Sequence, residues 1–282
     1  MKVITMRDRK NKLKILFTTA YNLRCKKCNH HLQEKEDFDI KLVDQIDVSF
    51  KTIRITGGEP TTRKDLQEAV RKLSHKGKVI LSSNILEIDF TRLNLYRSAG
   101  LQRIDGWIDT DNDRAYKELT EVNAFQIVLS NIQEITKSGT EFVLNTTISQ
   151  WNANRLREIV DLGMQCGVKH FSFHRLIPQP NCPELKSISV TEYEQLEKDI
   201  IDYVVSKGGK LKIDKKASFC TRPIYVHVNG DVCLCSKNKI VIGSLKRDFL
   251  LAILAHADYL LLKSYTRELP SCRSCAHFLE GF

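Results

Sequence analysis

The sequence predicts an α/β protein: a partial (β/α)6 TIM-like barrel with a small C-terminal cysteine-rich α+β module. Three observations support this prediction. Short apolar segments alternate six times with helical patterns, prolines at 178, 180 and 183 then interrupt the alternation, and five of the nine cysteines follow residue 211. Alternating strands and helices are typical of parallel strands joined by right-handed crossovers.

Six strands are predicted from short apolar segments, at residues 15–20, 52–56, 79–83, 103–109, 141–148 and 170–176. Helical periodicity covers residues 64–75, 124–138 and 154–166, and a glycine follows each of the last two segments. Because a complete barrel of this type needs eight units, six units predict an open barrel. Functional side chains are then expected at the carboxyl ends of the strands.

The chain after the prolines has a different pattern. A helix is predicted over residues 191–207, and Asn229-Gly230 joins two strand-like segments, which is a strong hairpin signal. An apolar stretch at residues 249–262 is interrupted by His256 and Asp258 and predicts a packed helix. We therefore expect a barrel domain at residues 1–185 and a helix with the cysteine-rich module at residues 186–282.

Composition places the protein among globular, cytoplasmic proteins. Its 282 residues are 42% hydrophobic and 28% charged, and we find no apolar run of the roughly 18–20 residues that a membrane span needs. The N-terminal segment lacks the features of a secretory signal. The net charge of +10 is spread along the chain rather than gathered into a stripe. This favours an acidic protein partner over nucleic acid.

The positions of the cysteines point to metal binding. Cytoplasmic thiols are kept reduced, so cysteine pairs in such a chain indicate metal ligation before disulfides. Cys25 and Cys28 form one C-x2-C pair after the first strand, and Cys272 and Cys275 form another near the C-terminus. This spacing suits either zinc or an iron–sulfur cluster.

The loop TTAYNLRCKKC after the first strand resembles the C-x3-C-x2-C signature of the radical SAM superfamily. In this alignment Cys25 and Cys28 take the second and third cysteine positions, and Tyr21 takes the first. The sequence Gly57-Gly58-Glu59-Pro60 at the end of the second strand resembles the GGEP motif of the same family. Together with the following strands, the resemblance covers residues 13–178.

The resemblance implies an iron–sulfur enzyme that uses S-adenosylmethionine. In the family, three cysteines hold a [4Fe–4S] cluster whose open iron chelates the amino and carboxylate groups of the cofactor, and electron transfer releases a 5′-deoxyadenosyl radical. The cofactor-binding positions carried over from the family are Gly57, Gly58, Glu59, Pro60, Ser83, Asn84, Asp109 and Asn145.

Two positions in the loop depart from the family pattern. Tyr21 replaces a cysteine, and its phenol, with a pKa of about 10, needs help from the metal to become a ligand. His30 or His31 is an alternative nitrogen ligand. Lys27 stands where the family usually has an aromatic residue. These departures leave open a non-catalytic relative that acts as a binding or partner subunit.

The C-terminal cysteines resemble the short, twitch-type form of the family's auxiliary-cluster (SPASM) domain. The resemblance assigns an auxiliary [4Fe–4S] cluster to Cys220, Cys235, Cys272 and Cys275. Cys233 is an alternative to Cys235, because the two residues point the same way along a strand. Four thiolates also form structural zinc sites, so a zinc-stabilised α/β protein is a further alternative.

His174 and Arg175 are the catalytic candidates, because they lie at the carboxyl end of the sixth strand. A histidine can move a proton, and an arginine can bind a carboxylate or phosphate. Trp107 is expected to be a core residue. The expected substrate is a small molecule or a peptide, and the absence of a peptide-recognition segment before the barrel weakens the case for a ribosomal peptide. The resemblance also implies a low-potential electron donor such as flavodoxin or ferredoxin.

Overall fold

The computed structural model describes residues 12–27, 34–177, 185–211, 223–233 and 241–264, with side chains to residue 257 in the last range. Six parallel strands occur in the predicted order. They are β1 (Lys12–Thr18), β2 (Thr52–Gly57), β3 (Lys78–Ser83), β4 (Leu101–Trp107), β5 (Glu141–Ile148) and β6 (His170–Arg175). The predicted α/β fold with a partial barrel is confirmed.

Helices connect these strands and cover one face of the sheet. They are α1 (Leu66–Ser74), α2 (Phe90–Ser98), α3 (Asp113–Thr120), α4 (Phe125–Lys137) and α5 (Leu156–Gln165). A sixth helix, α6 (Val190–Ser206), follows β6. Neither α2 nor α3 was predicted individually. The amphipathic stretch near residue 40 forms a short 3-10 helix, Ile40–Gln45, whose Val43 is buried.

The observed ends of two strands differ from the prediction by two residues, and those of β2 and β6 differ by one. β1 ends at Thr18 and β4 at Trp107, each two residues before the predicted end. The reason lies in the loops that follow, where Ala20 and Asp109 make hydrogen bonds to a neighbouring turn and strand outside the sheet pattern. These loops are part of the candidate site. The predicted bounds of β5 are confirmed.

The C-terminal hairpin continues the barrel sheet. Strand β7 (Lys210–Leu211) lies beside β6, while β8 (Ile224–Val226), β9 (Asp231–Cys233) and β10 (Val241–Ser244) extend the other edge. β8 pairs in parallel with β1, and the described strands form one ten-stranded sheet in the order β10-β9-β8-β1-β2-β3-β4-β5-β6-β7. Helix α7 (Leu250–Ser264) follows β10. The expected small module therefore shares its sheet with the barrel.

Side chains alternate between two environments along the strands. In β2, Ile53 and Ile55 are fully buried in the apolar core that includes residues of the helices. Arg54, between them, points to the opposite face, which is the interior of the partial barrel. There its guanidinium binds Asp105 of β4, and the same carboxylate accepts a 2.5 Å hydrogen bond from Arg103. The charged side chains of Arg54, Arg103 and Asp105 therefore form a connected network in this part of the barrel interior.

None of the described helices is long and apolar enough to cross a membrane.

Candidate functional site

The turn after β2 and the loop after β1 make unusually close backbone contact. The N–H of Gly58 donates to the carbonyl of Thr18, and the N–H of Glu59 donates to that of Ala20, both at 2.7 Å. A Cβ atom added at Gly58 would lie 2.1 Å from the Ala20 oxygen. Gly57 has φ +141°, in the region that favours glycine. The paired glycines therefore allow the loop that bears Cys25 to lie directly on the turn.

Glu59 fastens this turn to the end of β3. Its side chain is 1% exposed, and its Oε1 atom accepts hydrogen bonds from the Thr61 N–H (3.1 Å), the Thr61 hydroxyl (2.8 Å) and the Ser83 hydroxyl (2.9 Å). Oε2 accepts the Asn84 N–H at 2.7 Å. Burial raises the pKa of Glu59, and the hydrogen bonds oppose that rise. Glu59, Ser83 and Asn84 thus form one connected unit.

Asn84 also reaches the loop after β1. Its Nδ2 donates to the Asn22 side-chain oxygen at 2.6 Å, and Asn22 in turn donates to Glu87 at 2.9 Å. Pro60 is buried at the start of a short 3-10 helix, Pro60–Thr62. All six residues expected in the turn and at the end of β3 therefore lie together, against the loop that carries Cys25.

Cys25 and Tyr21 are neighbours in this loop. Cys25 is 3% exposed, and the Tyr21 hydroxyl lies 3.5 Å from its sulfur, with either atom able to donate. The backbone N–H groups of Arg24 and Lys26 donate to the carbonyls of Thr120 and Leu119, at 3.1 and 3.0 Å. The loop is thus attached to the C-terminal end of α3. Cys28, His30 and His31 lie outside the described residues.

Lys27 connects the same loop to the end of β4. Its ammonium lies 2.5 Å from Asp109 Oδ2, and the two side chains are 18% and 5% exposed. The other oxygen of Asp109 accepts the Thr147 N–H of β5 at 2.7 Å. The Lys27 ammonium also lies 5.0 Å from the centroid of the Trp107 ring, within cation–π range. Both carboxylate oxygens of Asp109 are therefore engaged within the protein.

The residues from β4, β5 and β6 meet at the interior of the barrel. His174 Nε2 lies 3.1 Å from the Asn145 side-chain oxygen and 3.2 Å from the Ser172 hydroxyl. The His174 ring is 5.2 Å from that of Trp107. Trp107 is only partly buried and lies outside the described apolar core, so its prediction as a core residue is wrong. The Trp107 indole therefore lies between the His174 imidazole and the Lys27 ammonium and contacts both.

Arg175 has a different environment from its neighbour His174. Its guanidinium donates to the carbonyl of Ile188 at 3.1 Å and to the hydroxyl of Ser187 at 3.4 Å. Both partners belong to the segment that precedes α6. The side chain therefore attaches this segment to the barrel, and a role of Arg175 in substrate binding stays a prediction.

A cavity of about 290 Å³ opens beside Asp109. The loops that follow β4 and β5 line it, including Asp111 and Arg155, which form an ion pair, and Trp151. Thr110 also lines the cavity, and its buried hydroxyl has no hydrogen-bond partner among the described residues.

The predicted ligands of the second site lie mostly outside the described structure. Cys220, Cys235, Cys272 and Cys275 are not among the described residues. Cys233 is described, in β9 opposite Tyr225, and is 1% exposed. The choice between Cys233 and Cys235 stays a prediction.

Sequence reasoning missed several contacts around the loop that bears Cys25. It treated Lys27 only as a departure from a pattern, whereas the structure pairs this residue with Asp109, 82 positions later in the chain. It also did not consider Asn22 or Tyr116. The opposite charges of Lys27 and Asp109, each placed next to a strand end, were the only signal available.

Sequence profiles of two known groups match this chain. The profile of the Radical SAM superfamily matches residues 24–163, and that of an iron–sulfur cluster-binding domain, SPASM, matches residues 220–276. A protein of Saccharolobus islandicus named probable GTP 3′,8-cyclase is 29% identical over 228 residues, which are 77% of this chain and 71% of that protein. A protein of the same name from Sulfolobus acidocaldarius is 30% identical over 178 residues, 59% and 56% of the two chains.

Solved structures also share this fold. Streptococcus suis SuiB bound to S-adenosylmethionine superposes with a TM-score of 0.72 at 15% identity, over 88% of this chain and 67% of SuiB. The structure of anSMEcpe with bound AdoMet gives a TM-score of 0.73 at 14% identity, over 95% of this chain and 87% of that one. At such identities the likeness concerns the fold.

Proposed function

Because the chain belongs to the radical SAM superfamily, we propose that it is an iron–sulfur enzyme that uses S-adenosylmethionine and an auxiliary [4Fe–4S] cluster to modify a small molecule or a peptide. The observation that carries this proposal is the contact between the Cys25 loop and the Gly57–Pro60 turn. The contact requires both glycines, and it joins the expected cluster site to the expected cofactor site.

The described residues fit the cofactors of the family. Cys25 supplies a buried thiol, and Cys28, which lies outside the described residues, is expected from the sequence to supply the second. The Gly57-Gly58 turn, which in the family receives the amino group of S-adenosylmethionine, lies directly against the loop that bears Cys25, because neither glycine has a side chain to keep the loop away. When bound and reduced at the cluster, this cofactor supplies a carbon radical that removes a hydrogen atom from the substrate. The chain's own residues position the loop, the turn and the strand ends around it.

Tyr21 is the proposed third ligand of the first cluster. Its hydroxyl and the Cys25 sulfur lie 3.5 Å apart, so the two atoms that would bind the cluster are adjacent. A tyrosine can bind iron through its phenolate, although it is a harder ligand than a thiolate. Replacing Tyr21 by cysteine therefore restores the three-cysteine pattern of the family, while Lys27 remains as the second departure in the loop.

His174 and Asn145 are proposed to face the substrate. They share a 3.1 Å contact on the interior face of the sheet, beside the partly buried Trp107. An imidazole at this position can hold or accept a proton at Nε2. The relatives named probable GTP 3′,8-cyclase make nucleoside triphosphates the first substrates to test. The fold is also that of SuiB, one structure of which is bound to the precursor peptide SuiA, so peptides are the second class.

A low-potential electron donor is the proposed partner. Reduction of a [4Fe–4S] cluster in this chemistry requires one, and a net charge of +10 suits an acidic flavodoxin or ferredoxin. Binding to such a donor should weaken as salt is raised, because surface charges are screened over about 10 Å at 0.1 M ionic strength.

Anaerobic reconstitution followed by iron and sulfide analysis tests this function. We expect about eight irons per chain, about four of which are lost on Cys220→Ser and about four on Cys25→Ser. We also expect cleavage of S-adenosylmethionine on reduction, and a gain of cleavage on Tyr21→Cys. Zinc without sulfide would refute the proposal and support a zinc-stabilised protein. About four irons that depend on Cys220, with no cofactor cleavage, would support a non-catalytic partner subunit.

A further inference from the structure

Tyr116 of α3 has a buried hydroxyl with no hydrogen-bond partner among the described residues. The side chain is 4% exposed, and its ring packs against Phe125 with 5.4 Å between centroids. No described residue, Cys25 included, lies within hydrogen-bond distance of this oxygen. Burying an unsatisfied hydroxyl destabilises a protein, and such groups in native structures call for an explanation.

The position of Tyr116 on α3 places it near the loop that bears Cys25. Leu119 and Thr120 lie three and four residues later on the same helix, so they share a face with Tyr116. Their carbonyls accept the backbone N–H groups of Lys26 and Arg24, which are the neighbours of Cys25 in the chain. Tyr116 therefore lies one helical turn from the point where α3 holds the loop.

The pKa of Tyr116 is affected by ionisable groups of the candidate site. Burial raises the pKa of the Tyr116 phenol, and the charges of Cys25 and Glu59 raise it further. The hydroxyl thus keeps its proton at neutral pH and acts as a donor. A donor enclosed beside the Cys25 loop, with no acceptor among the described residues, indicates that a bound group supplies the acceptor.

We propose that Tyr116 is a positioning residue whose hydroxyl donates a hydrogen bond to a sulfide of the iron–sulfur cluster bound at Cys25. This inference rests on the proposed function, because it requires the first cluster. A sulfide carries negative charge that increases when the cluster is reduced, and hydrogen bonds to sulfur are among the features that set cluster potentials. Tyr116 therefore favours the reduced form that the reaction needs.

The test compares Tyr116→Phe with the wild type, both before and after anaerobic reconstitution. Phenylalanine keeps the ring and its packing and removes only the hydroxyl. In the protein without cluster we expect an unchanged or higher melting temperature, by up to about 4 °C, because the unsatisfied group is gone. In the reconstituted protein we expect the midpoint potential of the first cluster, followed by EPR, to shift to a more negative value. The stabilisation gained on cluster binding should also decrease.

Tyr203→Phe is the matched control. The Tyr203 hydroxyl donates to Asp161 at 2.7 Å, between α5 and α6 and away from the loop. We expect this variant to have a lower melting temperature with and without cluster and an unchanged cluster potential. If Tyr116 has a purely structural role, Tyr116→Phe should also lower the melting temperature with and without cluster and leave the cluster potential unchanged. That result would overturn the proposal.

The remaining outcomes are also decisive. If the wild type binds its first cluster and Tyr116→Phe leaves both the potential and the stabilisation unchanged, this inference is wrong while the proposed function stands. If the variant differs only after S-adenosylmethionine is added, the acceptor belongs to the cofactor and the sulfide assignment is wrong. If the wild type binds no cluster that depends on Cys25, both proposals fail together.

Discussion

Glu59→Gln provides the sharpest test of how the turn after β2 is held. Three of the four hydrogen bonds to Glu59 reach Oε1, and one, from the Asn84 N–H, reaches Oε2. The glutamine carbonyl can keep the first three. Its NH2 group must then face the Asn84 N–H, so one charge-assisted bond is lost and two donors oppose each other in a site that is 1% exposed.

The expected decrease in the free energy of unfolding follows from this count of hydrogen bonds. Losing a hydrogen bond to a charged group costs about 1.5–3 kcal/mol, and leaving a buried donor unsatisfied is part of the same penalty. We therefore expect Glu59→Gln to lower the free energy of unfolding by about 2.5 kcal/mol. For a chain of this size this corresponds to a decrease of roughly 5–10 °C in melting temperature.

Thermal and urea unfolding of the protein without cluster, followed by circular dichroism, measures this effect. Glu158→Gln is the control, because Glu158 is exposed on α5 and its replacement should change stability by no more than about 0.5 kcal/mol. Equal stability of Glu59→Gln and wild type would refute the hydrogen-bond assignment.

Three further predictions concern the same region. Gly58→Ala places a Cβ atom 2.1 Å from the Ala20 carbonyl, so we expect a loss of about 1–3 kcal/mol in urea unfolding, and wild-type stability would mean that the loop is not in contact with the turn. Lys27→Met leaves the Asp109 carboxylate buried without its cation, which should cost about 3 kcal/mol. Adding Asp109→Asn should recover most of that loss, and additive losses in this double-mutant cycle would contradict the ion pair. Burial raises the pKa of Tyr96 to about 12, so stability should fall as pH rises from about 10 through that value. The fall should be smaller in Tyr96→Phe, and an equal fall in both proteins would contradict the burial.

Much of the fold could be predicted because it depends on local pattern. Short apolar segments located all six barrel strands, and β5 was predicted with its observed bounds. The helix α4 was predicted to within one residue at each end, since a 3.6-residue apolar period and a terminal glycine are both local signals. Helix α2 has no distinct apolar face and was missed, as was α3, which is only eight residues long.

The site was predicted in part for the same reason. Gly57, Gly58 and Glu59 form a contiguous motif, and their need for close backbone approach is a property of glycine itself. Ser83 and Asn84 were located because they lie at the carboxyl end of β3. Their actual contact, the Glu59 carboxylate, required the structure, because nothing in the sequence gives the direction of a side chain in a loop.

By itself the sequence determined the order of the elements, the family resemblance and the positions where strands end. Only the tertiary structure decided that Lys27 pairs with Asp109, that the end of α3 holds the Cys25 loop, and that β8 continues the sheet beside β1. These contacts join residues tens to hundreds of positions apart. Periodicity reports which face of an element is buried, whereas the choice of a distant partner depends on how all the elements pack at once, and the site is built from such partners.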